Sequence, residues 1–376
     1  MDSIAIVGSS ADSIKNFRLE LIETLSKNNK LIVCVPDYDI RLKNILTQYG
    51  VTYYTYLLER AAVTPLQDIK TIRSLAKIFR QEKINKVLLY NPKPVALGAI
   101  AAKFARVKNI YSMITGLGVN FTFNDRKTKI VRRILSWLYK MAISWSDVVF
   151  FQNQYDINVF MRQGIINNQN KICLINGSGV NIELFNNHFS VTPASQTVFI
   201  CVARLLRSKG VLEYLAAAQA VTKVYPKARF KLIGGFDNKS EAISREQITN
   251  AVSGGYIEYL GKLEDVRHAL YESDVFVLPS YREGTSKSIL EAMACSMPVI
   301  TCDVPGCNNL VTNEDNGFLV PAQNSIALAQ AMLRFIEEPL LVKAMGQRSR
   351  SIVEDKYDVR KVNKIILQNM GLECSV

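Results

Sequence analysis

The chain has 376 residues, 48% of them hydrophobic and 21% charged, with a formal net charge of +13. That length exceeds one small module, and the composition excludes a disordered or fibrous chain. No apolar run reaches the roughly 18 residues a membrane-spanning helix requires, which argues against an integral membrane protein.

The charge is concentrated. Residues 1–190 hold 25 Lys and Arg against 13 Asp and Glu, whereas the remainder holds 21 against 20. Such asymmetry points the first half at something anionic: nucleic acid, a membrane surface or a phosphorylated substrate. The seven cysteines are odd in number and match no zinc spacing, so free buried thiols in a reducing compartment are expected. Cys295, Cys302 and Cys307 lack a fourth ligand, and no metal site is expected.

In chain order, "SIAIVG" at 3–8 reads as a first strand rather than a signal peptide, because no basic segment precedes it. "LIVCVP" at 31–36, "KVLLYN" at 86–91, "NIYSMI" at 109–114 and "DVVFFQ" at 147–152 read as further strands. Amphipathic segments such as "SIKNFRLELIETLSKN" and "PLQDIKTIRSLAKIFRQEK" lie between them. The alternation predicts a parallel sheet with helices on both faces. Gly8, Ser9 and Ser10 end the first strand and Arg18 follows in the next helix, a placement suited to a phosphate or a sugar. The "DYD" at 37–39 follows the second strand and reads as a turn.

"FNDRKTKIVRRILSWLYKMAISW", 123–145, holds six basic residues and one acid. Ile130, Ile134, Leu135, Leu138 and Met141 form an apolar side, with Trp137 and Trp145 as aromatic anchors and Arg132 and Arg133 among the cations. A basic amphipathic helix with tryptophan suits an anionic membrane surface. An ordinary core-facing helix with a basic solvent face would show the same pattern.

After a polar stretch at 186–196, read as a linker, the rhythm restarts with "TVFICVA", "RFKLIG", "YIEYLG", "DVFVLP" and "PVITCDV". Helix-like segments separate most of these, and "RKVNKIILQNM" closes the chain. Two doubly wound α/β domains are predicted, with ligands beyond the carboxyl ends of their strands. Those ends carry chemistry in the second domain. Arg204, Arg207 and Lys209 follow one strand; Gly234 and Gly235 end another. In "YREGTSKSILEAM", Thr285 or Ser286 can cap a helix whose free N–H groups, with Lys287, make an anion site. Glu283 precedes that cap, and Glu291 lies eight residues on, on a related helical face two turns along.

These motifs resemble a known family. "PSYREGTSKSILEAMACSMPVITCDVPGCNNLV", "ARLLRSKGV" and "LINGSGVNIELF" are similar in order and spacing to the family-4 retaining glycosyltransferases. "MITGLGVNF" at 113–121, which contains Gly116, resembles a loop of the subgroup that extends lipid-linked oligosaccharides with N-acetylgalactosamine or galactose. The resemblance implies a GT-B fold, with two Rossmann-like domains facing across a cleft. It places the acceptor domain at 1–190, the donor domain at 191–358, and a last helix, 359–376, packed back towards the first domain. It implies that Arg204 and Lys209 bind the diphosphate of a UDP-sugar with N–H groups around Gly284, Thr285, Ser286 and Lys287. Glu291 would accept from the ribose hydroxyls, and Glu283 would face the transferred sugar; Gly234 would line the donor. Gly8, Arg18 and Gly116 would face the acceptor, an undecaprenyl-diphosphate-linked saccharide.

Two departures stand out. No histidine fits the first-domain role common in the family, since only His188 and His268 are present. Ser296 replaces the usual turn glycine in "AMACSMP". The implied enzyme is a retaining transferase of surface-polysaccharide (O-antigen or capsule) synthesis, needing no cofactor or metal, cytoplasmic and peripheral to the inner membrane, with no nucleic-acid partner. A nucleotide-sugar epimerase of the same fold and a non-catalytic membrane-bound binder are the alternatives. A nicotinamide dehydrogenase is disfavoured, because no G-x-G-x-x-G follows the first strand.

Overall fold

The computed structural model describes residues 1–59, 65–116, 126–186, 196–237 and 241–373, and of 126–132 the backbone only. The chain forms two units, 1–178 with 362–376 and 179–361.

The first unit runs β1 (Ser3–Val7), α1 (Ala11–Phe17), α2 (Leu19–Ser26), β2 (Lys30–Val35), α3 (Ile40–Gln48), β3 (Thr52–Thr55), α4 (Pro65–Gln81), β4 (Lys86–Tyr90), α5 (Pro92–Ala105), β5 (Asn109–Ile114), α6 (Arg126–Trp145), β6 (Val148–Phe151), α7 (Gln154–Arg162) and β7 (Ile172–Leu174). Its seven strands are all parallel, in the order β3-β2-β1-β4-β5-β6-β7. Because side chains alternate along a strand, Ala5 and Val7 join the core under α4, α5, α6 and α7, while Ile4 and Ile6 join the opposite core under α1 and α2. Both faces are covered, which is why the central strands read as unbroken apolar runs.

The second unit runs β8 (Val198–Val202), α8 (Val211–Val224), β9 (Arg229–Ile233), α9 (Arg245–Ser253), β10 (Glu258–Tyr259), α10 (Arg267–Tyr271), β11 (Val275–Leu278), α11 (Lys287–Ala294), β12 (Val299–Cys302), β13 (Gly317–Val320), α12 (Ser325–Glu337) and α13 (Leu340–Ile352). Its order, β10-β9-β8-β11-β12-β13, is again fully parallel. In both sheets the strand order reverses beside the first strand, between β1 and β4 and between β8 and β11, and such switch points are where open α/β sheets bind ligands.

The last helix, α14 (Val359–Asn369), places Val362, Ile366 and Leu367 in a core of the first unit, joined by Met370 just beyond it. Its end is fixed there, since Lys86 Nζ and the Tyr111 hydroxyl both donate to the Met370 carbonyl at 3.0 Å. The first crossing between units falls at 178/179, ahead of the expected 190/191. The cause is local pairing: Val180 exchanges backbone hydrogen bonds with Tyr357 and Val359, and Arg350 donates to the Phe185 carbonyl at 2.8 Å. Most of the expected linker, including His188, lies outside the described residues.

The sequence reading missed β3, β7 and β13, three of the four edge strands, and found the fourth, β10. β3 is polar, with Thr52 and Thr55 exposed, β7 is only three residues long, and β13 follows β12 with no helix between them to mark the alternation. Among the described cysteines, Cys34, Cys201, Cys295, Cys302 and Cys307 are free and buried and Cys173 is free and half-buried; burial pushes the Cys201, Cys295 and Cys302 thiols up to about 12.

Ser296, in the turn after α11, has φ of +58°. A side chain in the left-handed region costs about 1 kcal/mol, so Ser296→Gly is expected to raise the unfolding free energy by about that amount. Urea denaturation followed by circular dichroism measures it.

Candidate functional site

Four loops of the second unit, three strand-to-helix and one strand-to-strand, are joined by backbone hydrogen bonds around the β8/β11 switch point. They follow β8 (203–210), β9 (234–237), β11 (279–286) and β12 (303–306).

Lys209 and Glu283 meet there. Lys209 Nζ lies 2.5 Å from Glu283 Oε1, with side chains 18% and 14% exposed. Residues 74 positions apart are brought together by backbone contacts between their loops. The Ser208 carbonyl accepts from the Tyr281 amide at 2.9 Å and from the hydroxyl of the buried Ser280 at 3.2 Å. Tyr281 is held in turn, its hydroxyl donating to Glu213 Oε1 of α8 at 2.7 Å. Burial, with Glu213 beside it, pushes the Tyr281 phenol well above its ordinary pKa and keeps it a donor.

The far side of Glu283 rests on the loop after β12. The Glu283 amide donates to the Pro305 carbonyl at 3.1 Å, and the Ser286 amide to the Gly306 carbonyl at 3.4 Å. Gly306 has φ of +84°, and a Cβ there would overlap the Glu283 carbonyl. Only glycine combines that backbone with that approach.

The helix cap resolves to Ser286, whose Oγ accepts from the Ile289 amide at 3.4 Å; Thr285 instead donates to the Gly284 carbonyl at 3.0 Å. Because α11 starts at Lys287, Glu283 precedes the cap as expected, and Glu291 stands one turn inside the helix rather than two. Lys287 Nζ lies 3.5 Å from Glu291 Oε1, and the Glu291 side chain is 14% exposed. The expected donor set at this loop is thinner than the sequence implied, since the Ser286 amide is already engaged by Gly306.

Arg204 stands apart from Lys209. Its Nη1 is 3.5 Å from Asp237 Oδ2 and its side chain is largely exposed. Gly234 serves backbone packing: a Cβ would overlap the Ala203 carbonyl, its amide donates to the Gly261 carbonyl at 2.8 Å, and its own carbonyl accepts from the Tyr259 hydroxyl at 2.7 Å.

In the first unit, Gly8 ends β1, its amide donating to the Cys34 carbonyl at 3.0 Å and its carbonyl accepting from the Tyr56 hydroxyl at 2.9 Å. Ser9 and Ser13 both donate to Asn91 Oδ1, at 3.0 and 3.4 Å, and Asn91 Nδ2 donates to Thr115 at 3.2 Å, linking the ends of β1, β4 and β5. Gly116 follows Thr115; the rest of the loop at 117–125 lies outside the described residues.

Arg18 is not open at the strand ends but buried at 1% exposure, its guanidinium 5.1 Å from the Tyr90 ring centre and its Nη2 2.8 Å from Met113 Sδ. Its Nε has no hydrogen-bond partner, and burial lowers its pKa to about 10. The "DYD" turn is structural: Asp39 caps α3, accepting from Leu42 at 2.9 Å, and pairs with Lys15 at 2.6 Å, while Asp37 accepts from Ala11 at 3.1 Å.

On α6 the core side is not the expected apolar stripe: Leu135, Leu138 and Met141 are half-buried, the Ile130 side chain lies outside the described residues, and Trp145, expected as an anchor, packs against the core. Tyr139, Ala142 and Ile143 enter the core, whereas Ile134 and Trp137 are exposed, at 42% and 62%, beside exposed Arg133 and Lys140. The Arg132 side chain lies outside the described residues.

Sequence reasoning missed Ser280, Tyr281, Glu213, Pro305 and Gly306. Gly306 had a local signal, a glycine after proline just beyond a strand; the others act through contacts between distant segments and had none.

The chain is similar to known glycosyltransferases in sequence and in fold. A family model described as glycosyl transferases group 1 matches residues 196–338, and one described as glycosyl transferase 4-like matches residues 7–153. The chain is 28% identical over 352 residues to the N,N'-diacetylbacillosaminyl-diphospho-undecaprenol alpha-1,3-N-acetylgalactosaminyltransferase of Campylobacter jejuni, covering 90% of each chain. It is 27% identical over 315 residues to the UDP-Gal:alpha-D-GlcNAc-diphosphoundecaprenol alpha-1,3-galactosyltransferase of Escherichia coli, covering 81% of this chain and 79% of that one. Among solved structures, HepE of Anabaena in complex with UDP superposes with a TM-score of 0.77 at 18% identity, over 98% of this chain and 99% of that one. Sucrose-phosphate synthase of Thermosynechococcus elongatus gives 0.80 at 18% identity, over 99% and 98%.

Gly306→Ala combines an unfavourable backbone with an overlap against the Glu283 carbonyl. It is expected to lower the unfolding free energy by about 2 kcal/mol or more, measured by urea denaturation.

Proposed function

We propose a function from one premise: this chain belongs to the family-4-like glycosyltransferases of the GT-B fold. It moves a hexose or N-acetylhexosamine, with N-acetylgalactosamine or galactose as the favoured sugars, from a UDP-sugar to an undecaprenyl-diphosphate-linked saccharide. The product enters surface polysaccharide synthesis, O-antigen or capsule. The names of the Campylobacter and Escherichia relatives support the choice of sugar and acceptor.

The observation that carries the reading is the Lys209–Glu283 pair at the β8/β11 switch point. A cation and a carboxylate side by side match the two ends of the bond to be broken. Lys209, with Arg204 swinging in from the rim, takes the diphosphate. Glu283 faces the sugar, where positive charge develops, and Glu291 accepts from the ribose hydroxyls. Donor binding draws Lys209 from the carboxylate to the diphosphate.

The reaction retains configuration. The bond between the sugar's anomeric carbon and the diphosphate oxygen breaks, and the acceptor oxygen bonds to that carbon on the same face. The acceptor proton passes to the leaving diphosphate. No protein base is required, and the site acts by positioning and by stabilising charge. No metal enters this scheme.

The acceptor's lipid places the enzyme at the cytoplasmic face of the inner membrane. Among the described residues no helix is long and apolar enough to cross a bilayer. Attachment is therefore peripheral in this reading, through Ile134 and Trp137 of α6 with Arg133 and Lys140 beside them.

Incubation with UDP-N-acetylgalactosamine, UDP-galactose and their gluco epimers, plus a synthetic polyprenyl-diphosphate saccharide, tests the reaction by mass spectrometry. One added sugar is expected; epimerised donor without transfer overturns the reading. Glu283→Gln is expected to lower kcat by about a hundredfold or more while UDP binding, measured by calorimetry, is kept or tightened, since Lys209 loses its competing carboxylate. Arg133→Gln with Trp137→Ser is expected to weaken flotation with anionic vesicles and leave activity on a water-soluble acceptor intact.

A further inference from the structure

The proposed reaction makes no use of a groove on the outer side of α4 and α5. Its volume is about 480 Å³, and Ile69, Ile72, Arg73, Ala76, Arg80 and Phe104 line it. Ala76 is buried in the core under α4, while Phe104 is 64% exposed and Leu66, one turn before Ile69, is 78% exposed. Large apolar side chains gathered at one place in water mark a contact surface rather than chance exposure.

Basic residues dominate around the groove, and Glu82, just beyond α4, is engaged by Lys30 and Tyr54. Lys70, Arg73, Lys77 and Arg80 lie on α4, Lys103 lies on α5, and Arg106 and Lys108 follow it. The single acid within α4 and α5 is Asp68, which pairs with Lys93 at 3.1 Å. Arg80 Nη2 donates to the Phe104 carbonyl at 2.6 Å, which fixes a guanidinium in the groove wall beside an exposed ring. A cationic wall, an apolar floor and an apolar rim are complementary to an anionic amphiphile.

The groove does not stand alone. α4, α5 and α6 contribute to the same core on one face of the first sheet, and α5 packs against both neighbours. Leu66, Ile69, Phe104, Ile134 and Trp137 thus belong to one helical layer. A partner helix would need the groove only. Exposed apolar and basic residues spread over three adjacent helices fit a broad anionic surface, and the excess of 25 basic over 13 acidic residues in 1–190 favours one.

We propose that this groove seats an anionic phospholipid of the bilayer, with the phosphate on Arg73 and Arg80 and the glycerol and upper acyl region on Ile69, Ile72 and Phe104. The groove then adds a second contact beside α6 and holds the first unit in one orientation on the membrane. This rests on the reading that the acceptor is a membrane-held diphosphate lipid.

The test uses the full chain and phosphatidylcholine vesicles with and without phosphatidylglycerol. Wild type is expected to float with the anionic vesicles only. Ile69→Ser, Arg73→Gln and Phe104→Ser combined are expected to weaken that binding about tenfold, with melting temperature and transfer to a water-soluble acceptor unchanged. Arg73→Glu alone is the check should the combined variant unfold, and it is expected to weaken binding in the same direction. Anionic-vesicle binding by either folded variant equal to wild type overturns the proposal, as does wild-type binding indifferent to phosphatidylglycerol. Wild type that binds no vesicle overturns it too and gives the groove to an acidic protein partner. Wild type that binds anionic vesicles but transfers no sugar to any acceptor refutes the enzymatic reading and leaves the groove assignment standing.

Discussion

A lysine ammonium and a glutamate carboxylate withdrawn from water are each costly alone and tolerable together. Lys209 and Glu283 are such a pair, 2.5 Å apart and mostly covered. Their meeting depends on backbone bonds that tie three loops into one platform: Tyr281 and Ser280 hold the Ser208 carbonyl, and Pro305 and Gly306 hold the amides of Glu283 and Ser286. Hydrogen bonds of this kind are worth about 1 kcal/mol each in stability, but their larger effect is positional. Without them the two charges would sit on separate loops and face solvent.

The platform exists because of the sheet beneath it. In an all-parallel sheet every strand ends on the same side, so four loops open together at one edge. At the reversal of strand order the loops on either side turn away from each other and leave room. The first sheet repeats the device between β1 and β4, where Asn91 gathers Ser9, Ser13 and Thr115 by hydrogen bonds. The difference lies in charge. The charged groups near the described strand ends there are engaged within the unit: Asp37 accepts from Ala11, Lys15 pairs with Asp39, Lys93 with Asp68, and Arg18 is buried against Tyr90 and Met113. The positive charge of the first unit is displayed instead on its helical layer.

That layer shows how one helix serves two surfaces. Tyr139, Ala142 and Ile143 of α6 bind it to the core, and Ile134 and Trp137 remain outside. Hydrophobic periodicity in the sequence shows that a helix has an apolar side, but it does not separate the residues a sheet will cover from those left to another partner. The strands β3, β7 and β13 escaped notice for local reasons: β3 is polar, β7 is three residues long, and β13 is not set off from β12 by a helix.

The sequence by itself determined the two alternating α/β series, the central strands and the closing helix, and it singled out Lys209, Glu283 and Glu291 as candidate carriers of chemistry. These follow from local facts, since side-chain periodicity sets the elements and cations, glycines and carboxylates at strand ends set the residue types. Tertiary structure alone decided that Lys209 pairs with Glu283 while Arg204 pairs with Asp237. It also decided that Ser286 rather than Thr285 caps α11, that Arg18 is buried, and that the chain changes units at 178/179. Each of these is settled by contact between segments tens of residues apart or by the competition of neighbouring donors for one acceptor, and neither leaves a periodic trace along the chain.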